Sequence, residues 1–390
     1  MLRASPRSLA TVAPTQGKKD SHKAAAVCRV AFCGPIGETG RPAGGGYEAA
    51  NRRNCDALAR RGVKVIELPY PKVAGSSLKK LLSYTLCFLR NGLFLVAHRD
   101  QYDVFHLTPL NRYFAFAETL LASCARLVGK PVLIDIRAGT FLRLYQDGST
   151  LYRRTIDRTL RQASQVSVEG QEYVAFVRLR TRRPVFYFPN YVDSPSLRRP
   201  LPPRRIAAGD TVRLLYFGRL VPEKGVETTL KAVVDLAKRG HDVHLEFIGE
   251  GPAAFVAEMR ERYAHLPVTW TASLPVDDIL QRAAHAHFFV FPSRHPGEGH
   301  SNALNEAMSV GLVPVCSAQG FTRSVVGNAG VVLPTTALPD DYVLAIEEIL
   351  SGNRWSSLSE RAKTRVRTLY SEESTVPALI DTYRRLLLRR

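Results

Sequence analysis

The chain has 390 residues, 45% of them hydrophobic, which excludes disorder over its bulk and leaves room for two domains of ordinary size. Fifty-four Lys and Arg against 35 Asp and Glu give a formal charge of +19, so the partners expected are anionic: nucleotide diphosphates, anionic lipid headgroups or nucleic acid. Cys28, Cys33, Cys55, Cys87, Cys124 and Cys316 form no CxxC pair, so neither a zinc site nor a disulfide framework is expected and a reducing, cytoplasmic setting fits.

In chain order, residues 1–24 carry Arg3, Arg7, Lys18, Lys19 and Lys23 against Asp20 alone and contain no apolar run, the composition of a disordered basic arm; a transit peptide is the sharper alternative. Residues 26–33 (AVCRVAFC) read as a first strand, 34–46 as a glycine-rich loop, 47–61 as a helix and 63–68 as a second strand. Residues 78–96 (LKKLLSYTLCFLRNGLFLV) are too polar for a comfortable membrane span. At helical spacing Lys79, Ser83, Cys87 and Arg90 make a narrow polar stripe against a broad apolar face. Two readings follow: a helix lying on an anionic membrane, or a core helix exposing its polar stripe. Arg178, Arg180, Arg182 and Arg183 add to the first. Strands over 104–107, 132–136, 166–168 and 185–188, with a helix over 114–127, continue a βα alternation that predicts a parallel, doubly wound sheet.

After Asn190 the composition turns to SPSLRRPLPPRR, which no central strand or helix tolerates. A second alternation follows: strands at 213–217, 243–248, 268–270, 287–291 and 313–317, and helices at 226–239, 253–263, 276–284 and 342–351. The expected division is an N-terminal Rossmann-like acceptor domain over 25–195, a linker over 196–206, a C-terminal Rossmann-like donor domain over 207–374, and a closing helix over 375–390. Two such halves enclose a cleft between the carboxyl ends of their strands, where ligands bind in these folds.

Residues 298–311 (EGHSNALNEAMSVG) carry the densest chemistry. Ser301 or Asn302 caps a helix bearing Leu304, Ala307 and Met308, and its positive end favours an anionic or hydroxyl-rich ligand. Glu298 in the loop and Glu306 in the helix can each accept hydrogen bonds from hydroxyls; the plain alternative for either is an acid that complements the helix dipole. Residues 217–225 (FGRLVPEKG) place Gly218 at a strand end and Arg219 and Lys224 before the next helix, a diphosphate site whose cations would stabilise a departing diphosphate. No DxD sequence is present to hold Mg²⁺ on a nucleotide diphosphate, so metal-independent chemistry and no cofactor are expected, with Arg219 and Lys224 in the metal's place.

Together these residues resemble the retaining glycosyltransferases of GT-B architecture, glycosyltransferase family 4. The likeness is specific over residues 214–333: FGRLVPEKG, the FIGEGP turn at 247–252, FPSRHPGEG, and a Glu-x7-Glu segment of the form NALNEAM. It is weaker over 26–193, where Gly44, Gly45 and Gly46 resemble the family's donor-facing glycine loop and 189–193 (PNYVD) its PNxVD signature. The resemblance implies Arg219 and Lys224 on the donor phosphates, Glu306 on the ribose, and Glu298 with Gly299, His300, Ser301 and Asn302 around the transferred sugar. The loop at 272–275 would face the base, with Ala272 where the family often has Gly.

One departure stands out. At 135–140 (DIRAGT) Arg137 stands where many relatives end the strand with His; it would reach an anionic acceptor or the diphosphate with Asp135 orienting it, or form a structural Arg–Asp pair. His106, ending the preceding strand, is a second cleft candidate. The expected activity is transfer of a sugar from a nucleoside diphosphate donor to a glycan or lipid-linked glycan in cell-surface polysaccharide or glycolipid synthesis, at the inner face of the plasma membrane. The competing reading is a non-catalytic polyanion- or nucleic-acid-binding protein on the same scaffold. No aromatic platform accompanies the basic residues, so nucleic acid is not the expected partner.

Overall fold

The strands are short apolar runs such as VFHL, VLIDI and FFVF, buried along their whole length, as strands covered by helices on both faces must be. The computed structural model describes residues 28–40, 45–193, 197–198, 201, 204–207 and 209–388. The expected basic arm, Gly44 and parts of the linker lie outside the described residues.

The first half runs β1 (Arg29–Gly34), α1 (Gly46–Arg60), β2 (Lys64–Pro69), α2 (Ser77–Ala97), β3 (Val104–Leu107), α3 (Ala115–Leu127), β4 (Val132–Ile136), α4 (Phe141–Asp147), α5 (Thr150–Gln162), β5 (Gln165–Val168), α6 (Val174–Arg178) and β6 (Val185–Tyr187). Its sheet is parallel with order β2-β1-β3-β4-β5-β6, so the strand order reverses between β1 and β3.

The second half runs β7 (Val212–Phe217), α7 (Val226–Lys238), β8 (Val243–Ile248), α8 (Ala253–Arg262), β9 (Val268–Thr271), α9 (Val276–Ala283), β10 (Phe288–Phe291), α10 (Asn302–Ser309), β11 (Val313–Ser317), α11 (Thr322–Val326), β12 (Val331–Leu333), α12 (Pro339–Ser351), α13 (Trp355–Leu369) and α14 (Glu372–Leu388). Its order, β12-β11-β10-β7-β8-β9, is the Rossmann order, with the reversal between β7 and β10. The expected α/β fold of two facing Rossmann-like halves is what forms.

The elements α4, α5, α6, α11, α13 and β12 are not among those expected from the sequence. For two of these helices the signal is nonetheless present: Ser149 caps α5 by accepting from Tyr152 N, and Ile156 and Leu160 bury one face. In α13, Trp355, Leu358, Ala362 and Val366 repeat every three or four residues and are all buried. The last helix starts at Glu372, before the expected residue 375, and crosses back to the first half. There Val376, Leu379, Tyr383 and Leu386 pack against Val30, Phe32, Val104 and Leu133. Glu372 closes this crossing with ion pairs to Arg60 and Arg61 of α1.

The described end of the linker, at Arg204, lies on the second half. Arg204, half-buried, donates to the carbonyls of Ala286 and Val310, and burial lowers its pKa to about 10.

The helix α2 corrects one reading. Its buried residues are Cys87, Asn91 and Leu95, with Tyr84 and Phe88 beside them against Phe114 and Tyr70. Of the polar stripe only Cys87 is buried, while Lys79 and Arg90 stay exposed; because the leucines face out as well, α2 is not a core helix.

Candidate active site

The reversal between β7 and β10 brings two loops side by side at the carboxyl ends of their strands. After β7 come Gly218, Arg219 and a 3₁₀ turn over Pro222–Lys224; after β10 comes the run from Pro292 to Ser301. The loops are tied by Arg294 N donating to Glu223 O at 2.7 Å. Gly225 has φ 79, and a Cβ there would overlap Pro292, so only glycine lets the first loop settle on the second.

The central contact is Lys224 Nζ to Glu298 Oε2 at 2.5 Å, with Ser293 Oγ donating to the same oxygen at 2.8 Å. Glu298 is 6% exposed. Arg219 lies at the open rim, its Nη2 3.3 Å from His295 Nε2. Burial, reinforced by Lys224, lowers the pKa of His295. The cations expected on a diphosphate therefore flank the carboxylate expected on the sugar.

Ser301 resolves the choice of cap, accepting from Leu304 N at 3.4 Å. The helix α10 directs its start at the first half, where Asn302 Nδ2 donates to Gly46 O at 3.0 Å. Glu306, one turn further in, receives Arg53 Nη2 of α1 at 3.0 Å. Burial raises the pKa of Glu306 and Arg53 opposes that shift. Gly45 precedes α1 and Gly46 opens it, so the glycine loop and the helix start meet across the cleft. Opposite, Gly139 packs so closely on the Glu298–Gly299 backbone that a Cβ would overlap it.

Two expected site residues point elsewhere. The imidazole of His300 faces the interior, edge-on to Tyr370 and 3.0 Å from Asn305 Oδ1, and burial lowers its pKa to about 4. Only its backbone lies at the cleft, where its carbonyl accepts from Asn190 Nδ2 at 2.6 Å. Arg137 is 4% exposed: Nε donates to Asp135 at 2.6 Å, Nη1 to Asn190 Oδ1 at 2.5 Å, and the guanidinium lies over Phe188. Its Nη2 has no hydrogen-bond partner among the described residues. The contact with Asp135 that both readings of Arg137 require is formed. His106 is fully buried between Asp135 and Tyr383 and does not reach the cleft.

Residues 211–352 match the family model described as glycosyl transferases group 1. That stretch belongs to this family. An alpha-D-kanosaminyltransferase from Streptomyces kanamyceticus is 25% identical over 289 residues, 67% of this chain and 72% of that protein. A GDP-mannose:cellobiosyl-diphosphopolyprenol alpha-mannosyltransferase from Xanthomonas campestris is 27% identical over 222 residues, 55% of this chain and 56% of that one. The chain spans about half the length of several curated relatives it matches. Among solved structures, a sucrose-phosphate synthase from Thermosynechococcus elongatus superposes with a TM-score of 0.71 at 17% identity, over 93% of this chain and 100% of that one. The fold is the GT-B fold of glycosyltransferases.

Around this group 1 domain the first half supplies residues that sequence reasoning passed over. Arg53 lies on α1 seven residues after Gly46, and so on the same helix face, which was a readable signal. Glu169, just beyond β5, is 2% exposed and sits against Gly299. Burial holds its pKa well above the usual carboxylate range, with Arg137 opposing and Asp135 adding to the rise. Nothing in its local pattern, SVEGQ, distinguishes it from a loop acid.

Proposed function

We propose that this chain is a retaining, metal-independent glycosyltransferase that moves a sugar from a nucleoside diphosphate sugar to a glycan or lipid-linked glycan, in cell-surface polysaccharide or glycolipid synthesis. The observation that carries the reading is the Lys224–Glu298 pair at the strand-order reversal, with Arg219 at its rim and Glu306 on the adjoining helix.

The donor's diphosphate binds Arg219 and Lys224, the ribose diol donates to Glu306, and sugar hydroxyls donate to Glu298 beside the Gly299–Asn302 backbone. Gly45 and Gly46 close over the phosphates from the first half. The anomeric C–O bond breaks with its electron pair passing to the diphosphate oxygen, and the acceptor hydroxyl forms the new bond on the same face. Its proton passes to the departing phosphate. Arg219 and Lys224 stabilise the charge that builds there, which is the electrostatic role a metal would otherwise fill. Arg137 acts as a positioning residue: through Asn190 it fixes the His300 carbonyl and so the loop carrying Glu298.

Six free cysteines suit a reducing compartment, and the reaction is placed at the cytoplasmic face of the plasma membrane. The test is incubation of the purified chain with UDP- and GDP-sugars, with NMR of the product anomer. Donor turnover in the wild type, lost in Arg219→Ala and Glu306→Ala proteins that remain folded at the assay temperature, supports the reading. Release of the sugar with inverted configuration, or tight binding of polyanions with no donor turnover, refutes it.

A further inference from the structure

The described residues expose eighteen large hydrophobic side chains, and eleven of them fall between Leu78 and Leu127. On α2 the outward arc is Leu78, Leu82, Leu86, Leu89 and Leu93, exposed by 57% to 75%, with Leu81 and Val96 at its margins. On α3, Phe116, Leu120 and Leu127 lie on one line, three turns long. The helices touch at Gly92, where a Cβ would lie 3.8 Å from both Cys124 Sγ and Leu121 Cδ2, so the two arcs join into one surface. The inward stripe of α2 contains Cys87 and Asn91, the latter with its amide 3.6 Å from Cys87 Sγ. The helix thus turns Tyr84, Cys87, Phe88, Asn91 and Leu95 to the protein and its leucine arc, edged by exposed Lys79 and Arg90, to the surroundings. A monomer rarely leaves an apolar patch of this extent uncovered.

We infer that the α2–α3 face is seated in the acyl-chain boundary of an anionic lipid bilayer. Three observations select this occupant. The arc runs the length of a 21-residue helix, about 31 Å, which suits a planar apolar medium. Lys79 and Arg90 flank it on one edge and Lys80 stands at its start. Residues 77–97 contain no carboxylate, and the one acid of α3, Glu118, is buried beneath the loop after β3, where its side chain accepts from Leu110 N, Asn111 N and Tyr70 Oη. A second copy would instead oppose basic edges on two chains that each carry +19. The apolar face carries the docking and the basic edge adds to it, so binding resists salt more than a purely electrostatic contact does.

The surface begins at the cleft. The loop leaving the carboxyl end of β3 anchors Tyr47 Oη through Pro109 O at 2.9 Å and runs directly into exposed Tyr113 and then Phe116. Resting on the glycosyl-transfer reading, this continuity assigns the acceptor to the membrane-anchored class, its lipid held in the bilayer while its glycan enters the cleft.

The full chain is to be co-sedimented with phosphatidylcholine–phosphatidylglycerol vesicles, alongside a Leu82→Glu/Leu89→Glu variant and a Leu89→Trp reporter. The two glutamates replace side chains that are more than half exposed, so melting temperature and donor hydrolysis in solution stay at wild-type levels. Vesicle partitioning falls at least about tenfold, since each leucine lost from an apolar medium is worth a factor of this order. Emission of the Leu89→Trp reporter shifts blue with vesicles and is quenched by brominated acyl chains, relative to the wild-type background, whereas a Leu344→Trp control on α12 shows neither change. Equal partitioning of the glutamate variant, or no quenching by brominated lipid, overturns the inference. So does a blue shift of the Leu89→Trp reporter that follows protein concentration without lipid, the mark of a second copy. Failure of donor turnover alongside intact vesicle binding strikes the transfer reading and leaves this surface standing.

Discussion

Replacing Lys224 with Met strips the cation in contact with a carboxylate that has almost no access to water. Lys224 and Glu298 have side-chain exposures of 13% and 6%, so solvent screening is small and the pair behaves as a buried one. Removing one partner of such a pair costs about 3–5 kcal/mol, chiefly because the remaining charge is stranded. For a domain of this size each kcal/mol moves the melting temperature by about 2–4 °C, so Lys224→Met is expected to melt roughly 6–20 °C lower. Adding Glu298→Gln removes the stranded charge while its amide oxygen keeps the bond from Ser293 Oγ, and the double variant recovers all but about 1 kcal/mol. Donor turnover behaves differently: both variants fall about 10²–10³-fold, because the cation aimed at the departing diphosphate is missing from each. Calorimetry together with a donor hydrolysis assay reads both quantities. A Lys224→Met protein within about 2 °C of wild type, or a double variant as unstable as the single, refutes the coupling; rescue of turnover in the double variant refutes the role at the diphosphate.

Arg53→Met leaves Glu306 buried without its partner and is expected to weaken UDP or GDP binding by about 1.5–3 kcal/mol, with little further loss when Glu306→Gln is added; calorimetric titration of the four proteins tests this. Glu372→Gln removes the paired charge that pins α14 to Arg60 and Arg61, and the expected cost is about 1–2 kcal/mol because Arg60 is half exposed. It appears as faster amide exchange in residues 376–386. The pKa of Glu372 is lowered in the fold, so its contribution is present above the ordinary carboxylate pKa and disappears as pH falls through the folded value. His287 and His300 are held neutral by burial, each at about 4 against an ordinary 6.5. Between those values the unfolded chain binds more protons, so stability falls with pH from 6.5 to 4 by up to about 3 kcal/mol per histidine. A His287→Gln/His300→Gln protein should show a flatter urea midpoint across that window; a parallel curve rejects the assignment.

The second half was legible because its chemistry is local. The motif FGRLVPEKG ends a strand, FPSRHPGEG ends another, and the Rossmann strand order brings the two ends together without help from distant residues. The Glu-x7-Glu spacing then needs only one helix turn to place Glu306 behind Glu298. The first half contributes through single side chains whose partners lie from about fifty to more than two hundred residues away. Arg53 meets Glu306, and Asn190 bridges Arg137 to His300; no spacing rule announces a contact of that range.

Arg137 and α2 each left two readings open for one shared reason: a pattern gives the period of a segment and leaves open which side faces the protein. A charged residue at the end of a buried strand reads as a cleft residue when only the strand is considered. In the fold, Asp135 on the same strand, itself held by the Ser167 hydroxyl of the next, and Asn190 beyond it provide the polar partners that make burial of the guanidinium tolerable. Cys87, read with Lys79, Ser83 and Arg90 as the wet side of a helix, instead joins Asn91 on the buried side once its neighbours are known. Once Pro69 O and the thiols of Cys33 and Cys87 receive their polar atoms, nothing remains to hold the leucines inward. The same accounting of buried polar groups ties Arg137 to Asp135 and Asn190; on the transfer reading proposed above, the first half would then act by placing the loop that carries Glu298 rather than by supplying charge to the transferring bond.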